Sequence, residues 1–214
     1  MVLDVGASVG AFAVGLRAAG YHGRIVSIEP LSTSFTQLAI ACESDPQWEC
    51  LHLALGSHPG AATLNVSRNA ASSSLLPMEE RLSIIEPRAK FGGTERCTVA
   101  TLDELRERVL RDGDRAYLKL DVQGAELEVL RGSEAALKQC EIIQAELSVV
   151  PLYTGAPLLQ DVVLHLDDRG FGLLAIESAW ADPRTGLILQ VDGIFARSDP
   201  SIGRVDRSLA QARQ

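Results

Sequence analysis

The sequence predicts an α/β protein with a seven-stranded, mostly parallel, doubly wound sheet, helices on both faces and an antiparallel C-terminal hairpin. Three observations predict it. Apolar runs of strand length alternate with segments of helical spacing along most of the 214 residues. The chain opens with a strand, a glycine turn, a helix and a second strand that ends in an acid, the plan of a βαβ nucleoside site. Its last two strands follow one another with no helix between them, which requires an antiparallel edge.

The elements read in order as follows. Val2 to Val5 is a short apolar run of the kind found in buried parallel strands, and it breaks at Gly6. Ala11 to Ala19 follows Gly10 as a helix stopped by Gly20, and Arg24 to Ile28 is the second strand, closed by Glu29. Ser32 to Ala41 has apolar residues at Phe35, Leu38 and Ala39, with Ser32 or Thr33 as its cap. Trp48 to Leu55 reads as one third strand. Ala61 to Ser67 alternates as a short exposed strand, Arg68 to Leu76 is a polar loop, and Met78 to Arg96 is charged and irregular. A long insertion of that kind is expected to act as a mobile lid or to face the substrate. Thr94 to Ala100 is extended, and Thr101 with Glu104 forms a capping box that starts a helix.

Tyr117 to Val122 reads as a strand, Gly124 as a turn and Ala125 to Lys138 as a helix. Glu141 to Val149 is the fifth parallel strand. Pro157 to Arg169 is a helix closed by Gly170, and Gly172 to Ser178 and Leu187 to Ala196 form the hairpin around a loop over Ala179 to Gly186. Residues 1–197 are read as a single domain and 198–214 as a polar tail that frays. Met1 stands directly before the first strand, so the chain reads as having a truncated start.

Composition narrows the function. Hydrophobic residues make up 46% and charged residues 22%, the mix of a globular protein in water. A net charge of -8 with no Lys/Arg cluster argues against a nucleic-acid partner. No apolar run approaches the ~18 residues of a membrane span, and no basic-then-apolar leader is present. Four scattered cysteines, Cys42, Cys50, Cys97 and Cys140, form no C-x-x-C pair, so reduced structural thiols in a cytoplasmic protein are expected, and no zinc site.

The opening turn carries the chemistry. Gly6 and Gly10 are spaced G-x-x-x-G, without the second glycine that admits a pyrophosphate, and Ser8 stands where the backbone would be barest. Asp4 would repel a phosphate and suit a cation. Glu29, 19 residues past Gly10, is placed to accept both ribose hydroxyls. A cationic, phosphate-free nucleoside fits, and S-adenosylmethionine (SAM) is one. Ala54 and Leu55, at the end of the third strand, are where an adenine would find apolar contact.

Lys119 and Asp121 point to one side of their strand, with Asp121 at its carboxyl end. They can serve chemistry or simply pair. Glu126 sits in the first turn of a helix, where the macrodipole alone favours a carboxylate. Glu146, an acid in an apolar strand, needs a partner or a task. Asp121 and Glu146 are also the pair that could hold a Mg²⁺ ion. His52 and His58 are alternative bases near the third strand.

Four stretches resemble the FkbM family of methyltransferases, of the Rossmann-like class I fold. They are Asp4-Val5-Gly6-Ala7-Ser8-Val9-Gly10, Glu29-Pro30, the run from Leu118 to Glu126 continuing to Gly132, and Val191-Asp192-Gly193-Ile194-Phe195. The Lys-x-Asp-x-x-Gly-x-Glu segment is the most specific of them. The family usually has Asn where this chain has Ser8, and often Glu where it has Gln123.

The resemblance implies a SAM-dependent O-methyltransferase acting on a sugar, polyketide or related small molecule. Asp4, Gly6, Ala7, Ser8 and Gly10 would form the SAM turn, Glu29 and Pro30 the ribose site, and Ala54 and Leu55 the adenine site. Asp121 would act beside the methionine moiety or as base, with Glu146 second, Lys119 orienting Asp121 and Glu126 holding a sugar hydroxyl. A small-molecule or carbohydrate acceptor is the expected partner, with self-association allowed. Two rivals remain: a non-catalytic chain that keeps the fold as a binding module, and an NAD(P)-dependent oxidoreductase, which would need the G-x-G-x-x-G turn.

Overall fold

A computed structural model describes residues 1–197; the tail expected over 198–214 lies outside the described residues. A seven-stranded sheet forms the frame, built from β1 (Val2–Val5), β2 (Ile25–Ile28), β3 (Trp48–Leu51), β7 (Ala116–Leu120), β8 (Cys140–Ser148), β9 (Phe171–Ala181) and β10 (Ile188–Arg197). Its order is β3-β2-β1-β7-β8-β10-β9, parallel except where β10 pairs antiparallel with β8 and β9. A second, three-stranded sheet joins β4 (Ala54–Leu55), β6 (Phe91–Ala100) and β5 (Gly60–Ser67) in that order.

Alternation along the strands decides which residues face which layer. Val2 and Ile25 pack with Ala13 of α1 (Ala11–Ala18) and Leu38 of α2 (Ser32–Cys42) on one face. Leu3, Leu118 and Ile143 pack on the other against Leu102 and Val109 of α4 (Leu102–Val109), Leu130 of α5 (Glu126–Arg131) and Leu166 of α6 (Leu159–Asp167). Leu3, Leu118, Leu130 and Leu166 are wholly buried, each stabilising the fold by roughly 1.5–3 kcal/mol. Strand order reverses between β1 and β7, and at such a switch point the loops diverge and leave a crevice above the strand tips.

Four expectations need correction. The run Trp48 to Leu55 is not one strand: it leaves the large sheet after Leu51, and Ala54 and Leu55 pair with Val99 and Ala100 of the small one. The stretch Met78 to Arg96 is not irregular: it holds a helix α3 (Glu80–Ile85) and the start of the ten-residue β6, which pairs along the whole of β5. The helix expected from Ala125 to Lys138 stops at Arg131. A separate 3₁₀ segment, Ala136–Gln139, starts where the Asp103 carboxylate accepts the amides of Ala135 and Ala136 at 2.9 and 2.8 Å. Neither Ser32 nor Thr33 caps α2; the Ser32 amide instead donates to Glu95 Oε1 at 3.0 Å. The capping box at Thr101 is present, with both bonds at 3.1 Å.

Candidate active site

A cavity of about 220 Å³ opens over the tips of β1, β2 and β7. Gly6, Ser8, Glu29, Pro30, Ala54, Leu55, Asp121 and Glu146 line it. Residues 70–75, between β5 and α3, supply further wall through Ala70, Ala71, Ser73, Ser74 and Leu75. Among the described residues, three non-glycine residues have positive φ: Ser8 (49°), Ala70 (61°) and Gln123 (52°). All three border this cavity. Left-handed backbone costs a side-chain-bearing residue of order 1 kcal/mol or more, so strain is concentrated around one crevice.

The turn after β1 shows why glycine stands at position 6. Its φ is +79°, and a Cβ there would lie 1.9 Å from the carbonyl oxygen of Asp121. Gly6 and Ala7 both donate their amides to Ile28 O, at 2.9 and 3.0 Å, which draws the turn onto the end of β2. Ala7 itself is buried among the residues under α1, and Gly10 sits against Leu38 and Trp48. Expected within the cofactor turn, these two serve its packing and do not line the cavity.

Glu29 ends β2 with a carboxylate that receives two backbone amides, Ser8 N on Oε2 and Leu31 N on Oε1, both at 2.8 Å. Burial raises its pKa, and those two bonds oppose the rise. It is 7% exposed and faces the cavity with acceptor capacity to spare.

Beneath the turn, Asp4 is fully buried. Its Oδ2 accepts from Ser27 Oγ at 3.3 Å, while Oδ1 has no hydrogen-bond partner. Burial pushes its pKa up to about 6, against the pull of Lys119, whose Nζ is 3.9 Å away. Lys119 reaches the other way to Asp121 Oδ2 at 3.3 Å and lies 5.3 Å over the Phe12 ring. Burial opposes its charge, but Asp121 and Asp4 outweigh that and its pKa rises. Lys119 therefore pairs, as its spacing allowed, from behind the cavity wall.

Glu126 differs most from its expected place. Its Oε1 accepts the amides of Val122 and Gly124, both at 3.2 Å, and the residue is 4% exposed. Burial pushes its pKa up to about 7. It closes the start of α5 and does not line the cavity, so no sugar hydroxyl meets it there.

Asp121 and Glu146 do face the cavity, and one side chain joins them. Gln123 Nε2 donates to Asp121 Oδ1 at 2.9 Å and to Glu146 Oε2 at 2.8 Å. Gln190 Nε2 reaches the same Oε2 at 2.5 Å. Burial, then the charge of Asp121, raises the Glu146 pKa well above its ordinary value. Among the described residues no three His, Cys, Asp or Glu side chains are grouped to hold a metal ion. The amide stands between the two carboxylates proposed for Mg²⁺. Tyr153 and Gln190 were missed from sequence because neither lies in a motif; Gln123 stood inside one and was read only as a departure from the family's pattern.

The Methyltransferase FkbM domain model matches residues 4–173. The chain belongs to the FkbM methyltransferase family. This methyltransferase chain is 24% identical over 209 residues to methyltransferase sdnD of Sordaria araneosa, covering 87% of this chain and 79% of that protein. The structure of magnesium protoporphyrin IX methyltransferase (ChlM) from Synechocystis PCC 6803 with bound SAM matches with a TM-score of 0.51, 13% identity and coverage of 92% and 70%. Aeropyrum pernix fibrillarin, in complex with SAM, matches at 0.51 and 12% identity, covering 91% and 65%. The FkbM methyltransferase of Methylobacillus flagellatus KT matches at 0.49 and 16% identity; the match covers 90% of this chain and 42% of that one. The Synechocystis and Aeropyrum likenesses show the fold, that of class I methyltransferases. No described helix is long and apolar enough to cross a membrane.

Proposed function

We propose that this chain transfers a methyl group from SAM to a hydroxyl oxygen of a small-molecule or sugar acceptor, of glycan, glycolipid or polyketide type. The observation that carries the reading is the crevice itself: three carboxylates, Glu29, Asp121 and Glu146, line one cavity beside the bare peptide of Gly6. An acid-lined cavity favours a cationic ligand. Two proteins of the same fold, from Synechocystis and Aeropyrum, hold SAM.

The residues present fit that donor. Glu29 would hold the ribose hydroxyls, Pro30, Ala54 and Leu55 would flank the adenine, and the Gly6–Ser8 peptide would run beneath the methionine end. When bound, SAM supplies an electrophilic methyl group on a positively charged sulfur.

The chain's own contribution is alignment and proton removal. Walls formed by residues 70–75 and the 121–123 turn place the acceptor oxygen, which converts a collision into an oriented approach. Asp121 accepts the hydroxyl proton, and Lys119 behind it holds the carboxylate in place and offsets its charge. Acceptor choice falls to residues 70–75, which vary the cavity wall opposite the strand tips. Calorimetry should show SAM binding and no NAD binding, and labelled SAM should methylate hydroxyl-bearing members of a sugar and polyketide panel. NAD binding in place of SAM would overturn the reading.

A further inference from the structure

Gln123 makes four contacts that shape the cavity. Its Nε2 donates to Asp121 and to Glu146, its Oε1 lies 2.8 Å from the Tyr153 hydroxyl, and its backbone carbonyl accepts from Ser74 Oγ at 2.7 Å. The Tyr153 hydroxyl also lies 3.1 Å from Ser72 O. Tyr153 is 1% exposed, and its one hydrogen is shared between two acceptors, the amide oxygen and Ser72 O. The carboxylates fix which way the amide points: their unprotonated oxygens only accept, so both Nε2 hydrogens are directed at them, one each.

We propose that Gln123 is a positioning residue of the transfer reaction: its amide occupies the place of a cation between Asp121 and Glu146, so the pair keeps one proton on Glu146 and leaves Asp121 the base. The proposal rests on the reading of Asp121 as base. Two carboxylates within hydrogen-bond reach of one nitrogen repel each other, and such a pair relieves this by holding a single proton.

The surroundings decide which member holds the proton. Glu146 is surrounded by Lys119 from β7, Asp121 and Gln123 from the turn after it, Glu126 from α5, Asp192 and Gln190 from β10, and Tyr153. Burial and the charges of Asp121, Glu126 and Asp192 raise its pKa, and they outweigh Lys119 and the two amide hydrogens that oppose them. Both amides reach Oε2, which leaves Oε1 for the proton. Asp121 receives the direct lysine bond on Oδ2 and one Gln123 hydrogen on Oδ1, so a cation and a donor hold it at the cavity. In the reaction the acceptor's O–H bond breaks and its proton passes to this carboxylate.

The test uses the acceptor-free protein. Infrared difference spectra at neutral pH should show a protonated-carboxyl band that Glu146→Gln removes, distinct from the Glu126 band that Glu126→Gln removes. In Gln123→Leu the Glu146 band should move in frequency, since its carboxyl loses the Nε2 donor. Gln123→Glu, near-isosteric and able to keep the Tyr153 bond, should bind one Mn²⁺ per chain in a titration where the wild type binds none. Absence of a Glu146 band in the wild type, a Glu146 band unmoved in Gln123→Leu, or Mn²⁺ binding that is equal in Gln123→Glu and the wild type would each overturn the proposal. Circular dichroism of each variant confirms that it is folded before these readings are taken. Full methyl transfer by Asp121→Asn would instead remove the base assignment and leave the infrared and Mn²⁺ results standing.

Discussion

Substituting Gly6 by alanine tests the architecture of the crevice most directly. The new Cβ would lie 1.9 Å from Asp121 O, where ordinary contact begins at 3.4 Å, so the two chains must part by about 1.5 Å. They are pinned by Gly6 N to Ile28 O at 2.9 Å and Asp121 N to Val5 O at 3.0 Å. Relief therefore breaks at least one of these bonds, which costs about 1 kcal/mol. Alanine at φ +79° adds about 1–2 kcal/mol. The sum, about 2–3 kcal/mol, lowers Tm by about 4–12 °C for a chain of this size. Gly20→Ala is the internal control: its φ is +87° and nothing lies within 4 Å of its Cβ, so it carries the strain without the collision. Thermal melts should rank Gly6→Ala well below Gly20→Ala, and calorimetry should find SAM binding lost only in the former. Equal Tm losses with SAM affinity intact in both would refute the reasoning.

Other substitutions separate the roles of individual groups. Asp121→Asn should lower kcat by about 10²–10⁴ while SAM still binds, measured with labelled donor and any acceptor found in the panel. Glu29→Ala should weaken SAM binding at least about tenfold by calorimetry, since the ribose loses its acceptor. Thr101→Ala removes one half of the capping box and should cost about 1 kcal/mol, a Tm loss of about 2–4 °C. Glu126, with a folded pKa of about 7 against an ordinary 4.5, binds its proton more tightly folded than unfolded. Its contribution to stability is therefore full below pH ~4.5 and declines as pH rises through ~7. Glu126→Gln keeps an oxygen for the Val122 and Gly124 amides, so its Tm relative to the wild type should climb between pH 5 and pH 8; a pH-independent difference would remove Glu126 from this account.

The sheet was legible because period-two burial and glycine turns leave marks in sequence, and the same marks located Glu29, Asp121 and Glu146. The break after Leu51 left none. Trp48 to Leu55 runs on without a glycine or proline, so a strand that changes sheets reads like one that does not. β6 was legible only from Thr94 to Ala100, and its start was hidden for a different reason: in a small sheet much of it faces solvent, and Phe91 to Gly93 read as part of a charged, irregular stretch. Glu126 shows how far spacing can mislead. Its position in the motif was read correctly, but only the structure shows its carboxylate turned back onto Val122 and Gly124. Gln123 and Tyr153 are 30 positions apart and act together only because the β7 turn and the chain after β8 converge.

The small sheet has a bearing on how acceptor preference can change. Its hairpin rises from the peptide that would flank the adenine, yet its outer tip is stitched mainly to itself, through Asn69 to Ser72 and Ser67 to Ser73. Residues 69–72 can be exchanged or lengthened while Glu29, Gly6 and Asp121 stay seated on the large sheet. In the proposed function the large sheet would seat the donor and the tip beside the small sheet would roof the acceptor, so grafted tips are a route to new acceptors.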